Sequence, residues 1–258
     1  MKILITGASS GIGKALAVYC AKAGHHLLLV ARRDAELSEL CQQLSQQYQI
    51  QCDYISADLA VRGQCLSLFH QIEERGFDVD CLINNAGIGY LGDFTDMNID
   101  KMHTMIDLNV VALSELTMLY AQAFKKKGGG KILQVASIAG LSPGPYMAAY
   151  YASKAYVVRF SQALAYELKG TGVDVSILCP GPTNTGFLKQ STHGDKGDYK
   201  IPTGMMSADA VARIGFEGML RGKLFIYPGF INKIMAALTN VTPAWLKMYL
   251  VTFVHRRL

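Results

Sequence analysis

Short apolar runs alternate with longer amphipathic stretches along most of this 258-residue chain, and that rhythm leaves few folds open. Candidate strands cover 2–6, 26–31, 51–56, 80–84, 130–136, 173–179 and 223–227. Candidate helices cover 12–24, 34–48, 61–75, 98–126, 149–169 and 207–220. Runs such as Leu27-Leu28-Leu29-Val30 and Val175-Ser176-Ile177-Leu178-Cys179 are apolar almost throughout, as strands buried on both faces must be. Alternation of this kind predicts an α/β fold: a parallel, doubly wound sheet with helices on both faces. The chain is long for one domain, yet no linker, repeat or low-complexity tract divides it, so 1–258 reads as a single unit. Half the residues are hydrophobic and 17% are charged, enough for a large core and too apolar for disorder.

Two regions break the rhythm. Residues 181–206 open on Gly181-Pro182 and include the polar stretch His193-Gly194-Asp195-Lys196-Gly197-Asp198. That is long for a connection and predicts a flap over a site. Residues 228–258 are hydrophobic, contain Trp245 and end on His255-Arg256-Arg257. Docking on the core or on another subunit is the preferred reading. A membrane-surface helix is the sharper alternative, and Pro243 argues against one continuous helix there.

The formal net charge of +5 is modest and scattered. Lys125-Lys126-Lys127 is followed by Gly128-Gly129-Gly130, which reads as a helix end favoured by the macrodipole and stopped by glycine. No aromatic or basic stripe accompanies it, so a nucleic-acid patch is not expected. Cys20, Cys41, Cys52, Cys65, Cys81 and Cys179 form no CxxC pair and no metal-ligand spacing with histidine. They read as reduced core thiols, and no metal is expected. The strand-like start at Lys2-Ile3-Leu4-Ile5 leaves no signal peptide, and no apolar run reaches the length of a membrane span. A cytoplasmic protein is the expectation.

Tyr150 and Lys154 carry the strongest chemical signal, being four positions apart on one helix face. A cation held about 4 Å from a phenol favours the phenolate by roughly 4 kcal/mol at an effective dielectric near 20. That is about three pKa units, enough to bring a tyrosine near neutrality as a proton donor. Tyr151, turned by about 100° on the helix, faces elsewhere.

Thr6-Gly7-Ala8-Ser9-Ser10-Gly11-Ile12-Gly13 lies where the first strand turns into the first helix. Glycines there allow a tight turn, close approach to a pyrophosphate, and close packing of helix on sheet. The helix start offers N–H groups to an anion. At the end of the second strand stand Arg32 and Arg33 after Ala31, where an NAD site usually places a carboxylate. A guanidinium can hold a 2′-phosphate, so NADP(H) is the preferred cofactor and NAD(H) the second candidate. Asp34 reads as the N-cap of the next helix.

Taken together, these motifs resemble the short-chain dehydrogenase/reductase superfamily in its single-domain form, over roughly residues 1–227. The resemblance implies a Rossmann-type, seven-stranded parallel sheet. Thr6 to Gly13 matches the family's cofactor loop, with Gly7, Ser9, Ser10, Gly11, Ile12 and Gly13 at the cofactor. Asp58-Leu59 matches the pair at the adenine ring. Asn84-Asn85-Ala86-Gly87 matches the motif that ends the fourth strand, and Asn85, Ala86 and Gly87 would lie against the cofactor. Asn109, Ser137, Tyr150 and Lys154 match the catalytic four, with Tyr150 and Lys154 also touching cofactor. Pro180, Gly181, Thr183 and Thr185 match the segment at the nicotinamide carboxamide. Ser10 stands where many NADP-preferring members are basic, which leaves Arg32 to carry most of the preference.

The implied reaction is hydride transfer between nicotinamide C4 and a carbonyl or secondary alcohol, with Tyr150 as general acid or base. Ser137 would hold the reacting oxygen, Lys154 lower the phenol's pKa and bind the nicotinamide ribose, and Asn109 hold a water that reconnects Lys154 to solvent. Substrate contacts are expected from Ser137, Ile138, Tyr146, Tyr150 and Phe187, with Leu141, Met147, Met205 and Met206 nearby. That lining is mostly apolar, which points to a fatty-acyl, steroid, retinoid or xenobiotic ketone or aldehyde. The overall pattern looks closest to 3-ketoacyl and hydroxysteroid reductases. The resemblance also implies a homodimer or homotetramer built from the helices near 109–126 and 149–169. The alternative is a catalytically silent dinucleotide-binding regulator or a membrane-surface protein.

Overall fold

A computed structural model describes residues 1–191, 205–239 and 242–255. The polar stretch 193–198 and Arg256-Arg257 lie outside the described residues. The first half runs β1 (Lys2–Thr6), α1 (Gly11–Lys22), β2 (His26–Ala31), α2 (Asp34–Tyr48), β3 (Cys52–Ser56), α3 (Gln64–Glu74) and β4 (Cys81–Asn84). A helical rod follows, made of α4 (Ile99–Ile106), a π-helical segment (Asp107–Ala112) and α5 (Leu113–Lys127). Then come β5 (Gly130–Val135), a 3₁₀ turn (Ile138–Leu141), α6 (Ala148–Glu167) and β6 (Val173–Leu178). The last part holds β7 (Thr183–Asn184), α7 (Phe187–Ser191), β8 (Met206–Ser207), α8 (Ala208–Leu220), β9 (Phe225–Ile226), α9 (Phe230–Thr239) and α10 (Ala244–His255).

Seven strands form one parallel sheet in the order β3-β2-β1-β4-β5-β6-β9. Its direction of winding reverses between β1 and β4, the crevice where doubly wound folds bind ligands. Side chains alternate across the sheet as strand geometry requires. Ile3, Ile5, Leu27 and Leu29 pack with Leu16, Leu37 and Val211 on one face. Leu4, Leu28, Val30 and Leu82 pack with Leu68, Leu116 and Phe124 on the other. Both faces are dry, which is why the strands read as continuous apolar runs. All six cysteines are free, and all but Cys52 are buried.

Helix ends follow local chemistry. Gly128 ends α5 in the left-handed region (φ 85°), and Gly129 N–H closes on the Phe124 carbonyl at 2.9 Å. Lys127 in that last turn bridges Asp78 at 2.8 Å and Asp80 at 2.6 Å.

Three details differ from the sequence reading. The segment 98–126 is one rod interrupted by a π-helical turn around Asn109, whose side chain is used elsewhere. Asp34 is the first residue of α2, and Arg33 occupies the N-cap without a side-chain capping bond. The Arg33 guanidinium is instead engaged by Ser9 and Glu36, while Asp34 serves the helix dipole from the first turn. The third is a two-residue parallel ladder, Thr183↔Met206 and Asn184↔Ser207, that joins both ends of the 181–206 excursion. Two residues are too short for a hydrophobic period, so the sequence pattern does not reveal it.

Candidate active site

Apart from Tyr150 and Lys154, which lie on α6, the predicted cofactor residues follow the carboxyl ends of β1, β2, β3, β4 and β6, along one rim of the sheet. The turn after β1 is set by Gly7 (φ 66°) and Gly11 (φ 56°), with Ser9 and Ser10 between them. A Cβ at Gly13, in the first turn of α1, would collide with the Gly7 carbonyl oxygen and Asn85 Nδ2. The third glycine therefore lets helix, loop and β4 close on one another. Ser10 sits at the N-cap of α1 and makes no side-chain capping bond.

The loop is bolted to β4. Asn85 Nδ2 donates to the Thr6 and Gly7 carbonyls at 2.9 and 3.2 Å. The Asn85 and Ala86 N–H groups both donate to Thr6 Oγ1 at 3.0 Å. Thr6, the first residue of the loop motif and not one of its expected cofactor contacts, is the hub. Asn84 turns away from the rim, donating to Thr117 Oγ1 at 3.0 Å and the Leu113 carbonyl at 3.3 Å.

Beyond β2 the two arginines take different partners. Arg33 donates to Ser9 Oγ from Nε at 3.2 Å and from Nη2 at 2.9 Å. Arg32 lies 3.9 Å from Asp58 Oδ2, a long and exposed pair. Arg33, more than Arg32, is thus the guanidinium on the glycine loop, a shift of emphasis from the sequence reading. Asp58 Oδ1 also accepts from the Ala60 N–H at 3.1 Å, and Leu59 is buried in the core.

Asn109 is fully buried in the π-helical turn. Its carboxamide exchanges two 2.9 Å hydrogen bonds with the Ile88 backbone and donates to Ser153 Oγ at 3.0 Å. Ser153 Oγ in turn donates to the Tyr150 carbonyl at 2.7 Å. Ser153 is a second link the sequence did not reveal as such, although its place beside Lys154 was visible. The extra residue in the π turn matches a general association of π-bulges with functional sites.

Lys154, 4% exposed, donates from Nζ to the Val135 carbonyl at 2.9 Å. A methyl at Gly87 would come within 3.1 Å of Asn109 Oδ1 and 3.4 Å of Lys154 Nζ, so Gly87 lets both reach the rim. Burial disfavours the ammonium and brings Lys154 down to about 8, opposed only by the neighbouring Cys179. Burial likewise raises the Tyr150 phenol above its ordinary value, and the Ser137 hydroxyl pulls in the other direction. This differs from the expectation of a phenol lowered by Lys154. The ammonium is engaged by the Val135 carbonyl, and Ser137 is the group that favours the phenolate.

Ser137 also caps the 3₁₀ turn, accepting from the Ala139 N–H at 3.1 Å, and its Oγ lies 3.4 Å from the Pro180 carbonyl. Ile138 N–H donates to that carbonyl at 3.0 Å, tying the ends of β5 and β6 together. The Ile138 side chain packs, partly buried, on the cluster around Val157, Ile177 and Cys179. Gly181 abuts Asn232 of α9, and Thr185 abuts Gly11, so the carboxamide segment spans from the C-terminal helix to the glycine loop. Thr183 Oγ1 donates back to the Gly181 carbonyl at 2.9 Å.

Tyr150 meets Phe187 of α7 with ring centroids 5.3 Å apart. Tyr151 packs instead on Gly144. Beside Tyr150, the side chains of Tyr90, Phe94, Met97, Met105 and Tyr146 gather around a narrow cleft. Tyr146 holds a positive φ of 65°, and its carbonyl accepts from Gly92 N–H at 2.9 Å. Among the described residues no three His, Cys, Asp or Glu side chains group as metal ligands.

A rim carrying a glycine turn, with a phenol, a hydroxyl, an ammonium and a buried carboxamide around it, can be compared with known proteins. Residues 1–196 match the family model described as short chain dehydrogenase. The chain belongs to the short-chain dehydrogenase/reductase family. This oxidoreductase is similar to sulfoacetaldehyde reductase 2 of Chromohalobacter salexigens, 34% identical over 84% of this chain and 88% of that one. It is also similar to the NADP-dependent 3-hydroxy acid dehydrogenase of Schizosaccharomyces pombe, 35% identical over 75% of this chain and 76% of that one. Among solved structures, a short-chain dehydrogenase from Sphingobium yanoikuyae in complex with NADPH superposes with a TM-score of 0.83. The two share 29% identity over 93% of this chain and 94% of that one. Like its relatives, this dehydrogenase acts on CH–OH or C=O groups.

Proposed function

We propose that this dehydrogenase is an NADP(H)-dependent reductase of apolar ketones or aldehydes, with Tyr150 as the proton donor. The observation that carries the reading is the convergence of Ser137 and Tyr150, Tyr150 lining an uncharged cleft, with Lys154 and Asn109 both beside Gly87. The residues fit a dinucleotide: Gly7 and Gly13 let the loop pack tightly on Asn85 and Ala86, and the start of α1 behind it offers N–H groups to an anion. Gly7, Ser9, Ser10, Gly11, Ile12 and Gly13 would hold the pyrophosphate, and Arg33 with Arg32 a 2′-phosphate. Asp58 and Leu59 would lie at the adenine, Ala86 and Gly87 along the middle, and Pro180, Gly181, Thr183 and Thr185 at the carboxamide. NADP preference is supported by the named cofactors of the S. pombe and S. yanoikuyae proteins. NAD(H) is the second candidate. When bound, the nicotinamide supplies the hydride chemistry.

The chain's own part is positioning and proton transfer. A phenol raised by burial stays protonated at neutral pH, as a donor to a developing alkoxide must. Ser137 can donate to the same oxygen while charge forms on it. Lys154, near 8, can pass a proton at neutral pH, and Asn109 fixes the backbone around it through Ile88 and Ser153. The cleft's described lining, Tyr90 to Tyr150, carries no charge, which favours an apolar substrate over the anionic aldehyde named for the Chromohalobacter relative. Met118, Tyr156 and Tyr166 are exposed on α5 and α6, and we assign homo-oligomer contacts, as dimer or tetramer, to those helices.

The test is NADPH oxidation across apolar ketones and aldehydes, with sulfoacetaldehyde as the polar control. Turnover is expected for the apolar set. Tyr150→Phe is expected to lose about 10³-fold in kcat while still binding NADPH, and Tyr151→Phe to keep activity. Activity retained in Tyr150→Phe and lost in Tyr151→Phe would overturn the assignment.

A further inference from the structure

The C-terminal helices are inside out. On α9 the small or polar residues Asn232 and Ala236 face the body of the protein: Asn232 abuts Gly181 and donates to the Pro228 carbonyl at 2.6 Å, and Ala236 is buried. The large apolar residues point the other way. Phe230 is 76% exposed and Ile231 72%, with Ile234, Met235 and Leu238 continuing the stripe at helical spacing. On α10 Trp245 is 67% exposed, and Met248 and Tyr249 extend its apolar side by one turn. An apolar stripe this continuous on a water-facing surface marks a binding face.

Charge selects the occupant. From Gly218 to Leu258 the chain contains no Asp or Glu, while Arg221, Lys223, Lys233, Lys247, Arg256 and Arg257 are all cationic. A second copy of the same face would bring cations against cations with no anion to answer them. An anionic lipid surface answers both features at once: its headgroups take the lysines and its acyl boundary takes the aromatic and aliphatic side chains. No helix among the described residues is long and apolar enough to cross a membrane, so the mode is adsorption.

We propose that α9 and α10 dock this dehydrogenase on an anionic bilayer. The docking face is the side of α9 opposite Asn232, which touches Gly181. α9 still packs on the body of the protein through Asn232 and Ala236, as the preferred sequence reading has it, and the bilayer takes the opposite side. Docking does not depend on the substrate assignment, because the readout is binding.

Full-length protein is to be sedimented with vesicles of pure phosphatidylcholine and with vesicles rich in phosphatidylglycerol. Co-sedimentation is expected with the anionic vesicles only, and it is expected to fall as salt rises. Each cation near the surface is worth about fivefold in partitioning, so Lys233→Glu/Lys247→Glu should bind at least 25-fold more weakly. Ile234→Ser/Trp245→Ser should also lose binding, with circular dichroism and thermal unfolding unchanged. Two results overturn the proposal. One is protein left in the supernatant with both vesicle types. The other is a solution mass, measured by light scattering, that drops in Ile234→Ser/Trp245→Ser, which would make a second copy the occupant.

Discussion

The two walls of the active-site cleft are held by different forces. On the cofactor side, buried amides and hydroxyls meet backbone groups at hydrogen-bond distance, from Asn85 on Thr6 and Gly7 to Asn109 on Ile88. On the substrate side, aromatic and sulfur side chains gather around Tyr150, with Phe94 57% exposed. Hydrogen bonds demand particular residues at particular places, while apolar contacts accept many. One wall is therefore rigid and specified; the other is adaptable. That division suits a fold that keeps one cofactor chemistry and varies its substrate.

The contrast can be broken at Asn109. Asn109→Ala leaves the Ile88 N–H and carbonyl without their partner and unties Ser153. The cost is expected to be about 3 kcal/mol, seen as a midpoint lower by roughly 6–12 °C in thermal unfolding. Phe94→Ala, on the opposite wall, is expected to stay within about 0.5 kcal/mol and to act on KM instead. Equal destabilisation of the two variants would end the distinction.

Lys154 sharpens it through pH. Its folded pKa, about 8, lies below the ordinary 10.5, so between those values the unfolded chain binds the proton and the folded one does not. Stability from this group is then lowest below pH 8, rises with pH across the window, and is fully recovered above 10.5. The difference amounts to about 3 kcal/mol at most. Lys154→Met lacks the group, so its stability relative to wild type should decline as pH is raised from 8 to 10.5. Parallel denaturant curves at each pH would show it, and a constant difference would mean that the buried ammonium is not desolvated.

The same division explains what could be read in advance. The sheet was legible because each strand is buried on both faces, and Leu27 to Val30 advertises that in one line. The glycine loop and the Tyr150–Lys154 pair were legible from their spacing, and Asn85 and Asn109 only through the family resemblance. Thr6 as hub, Ser153 as link and Asn232 against Gly181 were not, since a hydroxyl or amide names no partner until the fold supplies one. The β7–β8 ladder lacked the length to show a period, and the cleft wall at Phe94, Met97 and Met105 has no motif at all. Electrostatics were misjudged for a related reason. Spacing shows that Tyr150 and Lys154 share a helix face, but the carbonyl of Val135, which takes the ammonium, comes from another strand.

The arginine pair offers a smaller test on the cofactor side. Arg33 reaches Ser9 through two nitrogens, while Arg32 has only the long contact to Asp58. Arg33→Ala should raise the KM for NADPH by roughly 10- to 30-fold, about 1.5–2 kcal/mol, and leave that for NADH nearly unchanged. Arg32→Ala should have the lesser effect. Steady-state kinetics with both cofactors would decide, and the reverse ranking would return the emphasis to Arg32.

The smallest effect belongs to the adaptable wall, at Tyr146. A non-glycine residue at φ 65° carries about 1 kcal/mol of backbone strain, held here by the Gly92 N–H on its carbonyl. Tyr146→Gly and Tyr146→Ala both remove the ring and differ only in the backbone. At most positions glycine is the less stable of such a pair by roughly 0.5–1 kcal/mol, from its greater freedom when unfolded. Here the left-handed backbone should invert the order, with Tyr146→Gly the more stable by up to about 1 kcal/mol in urea unfolding. Both variants should lose affinity for a bulky ketone alike, because the ring, not the strain, faces the cleft. If alanine is the more stable, the loop relaxes out of this conformation without the ring, and the wall adapts even further than the static structure shows.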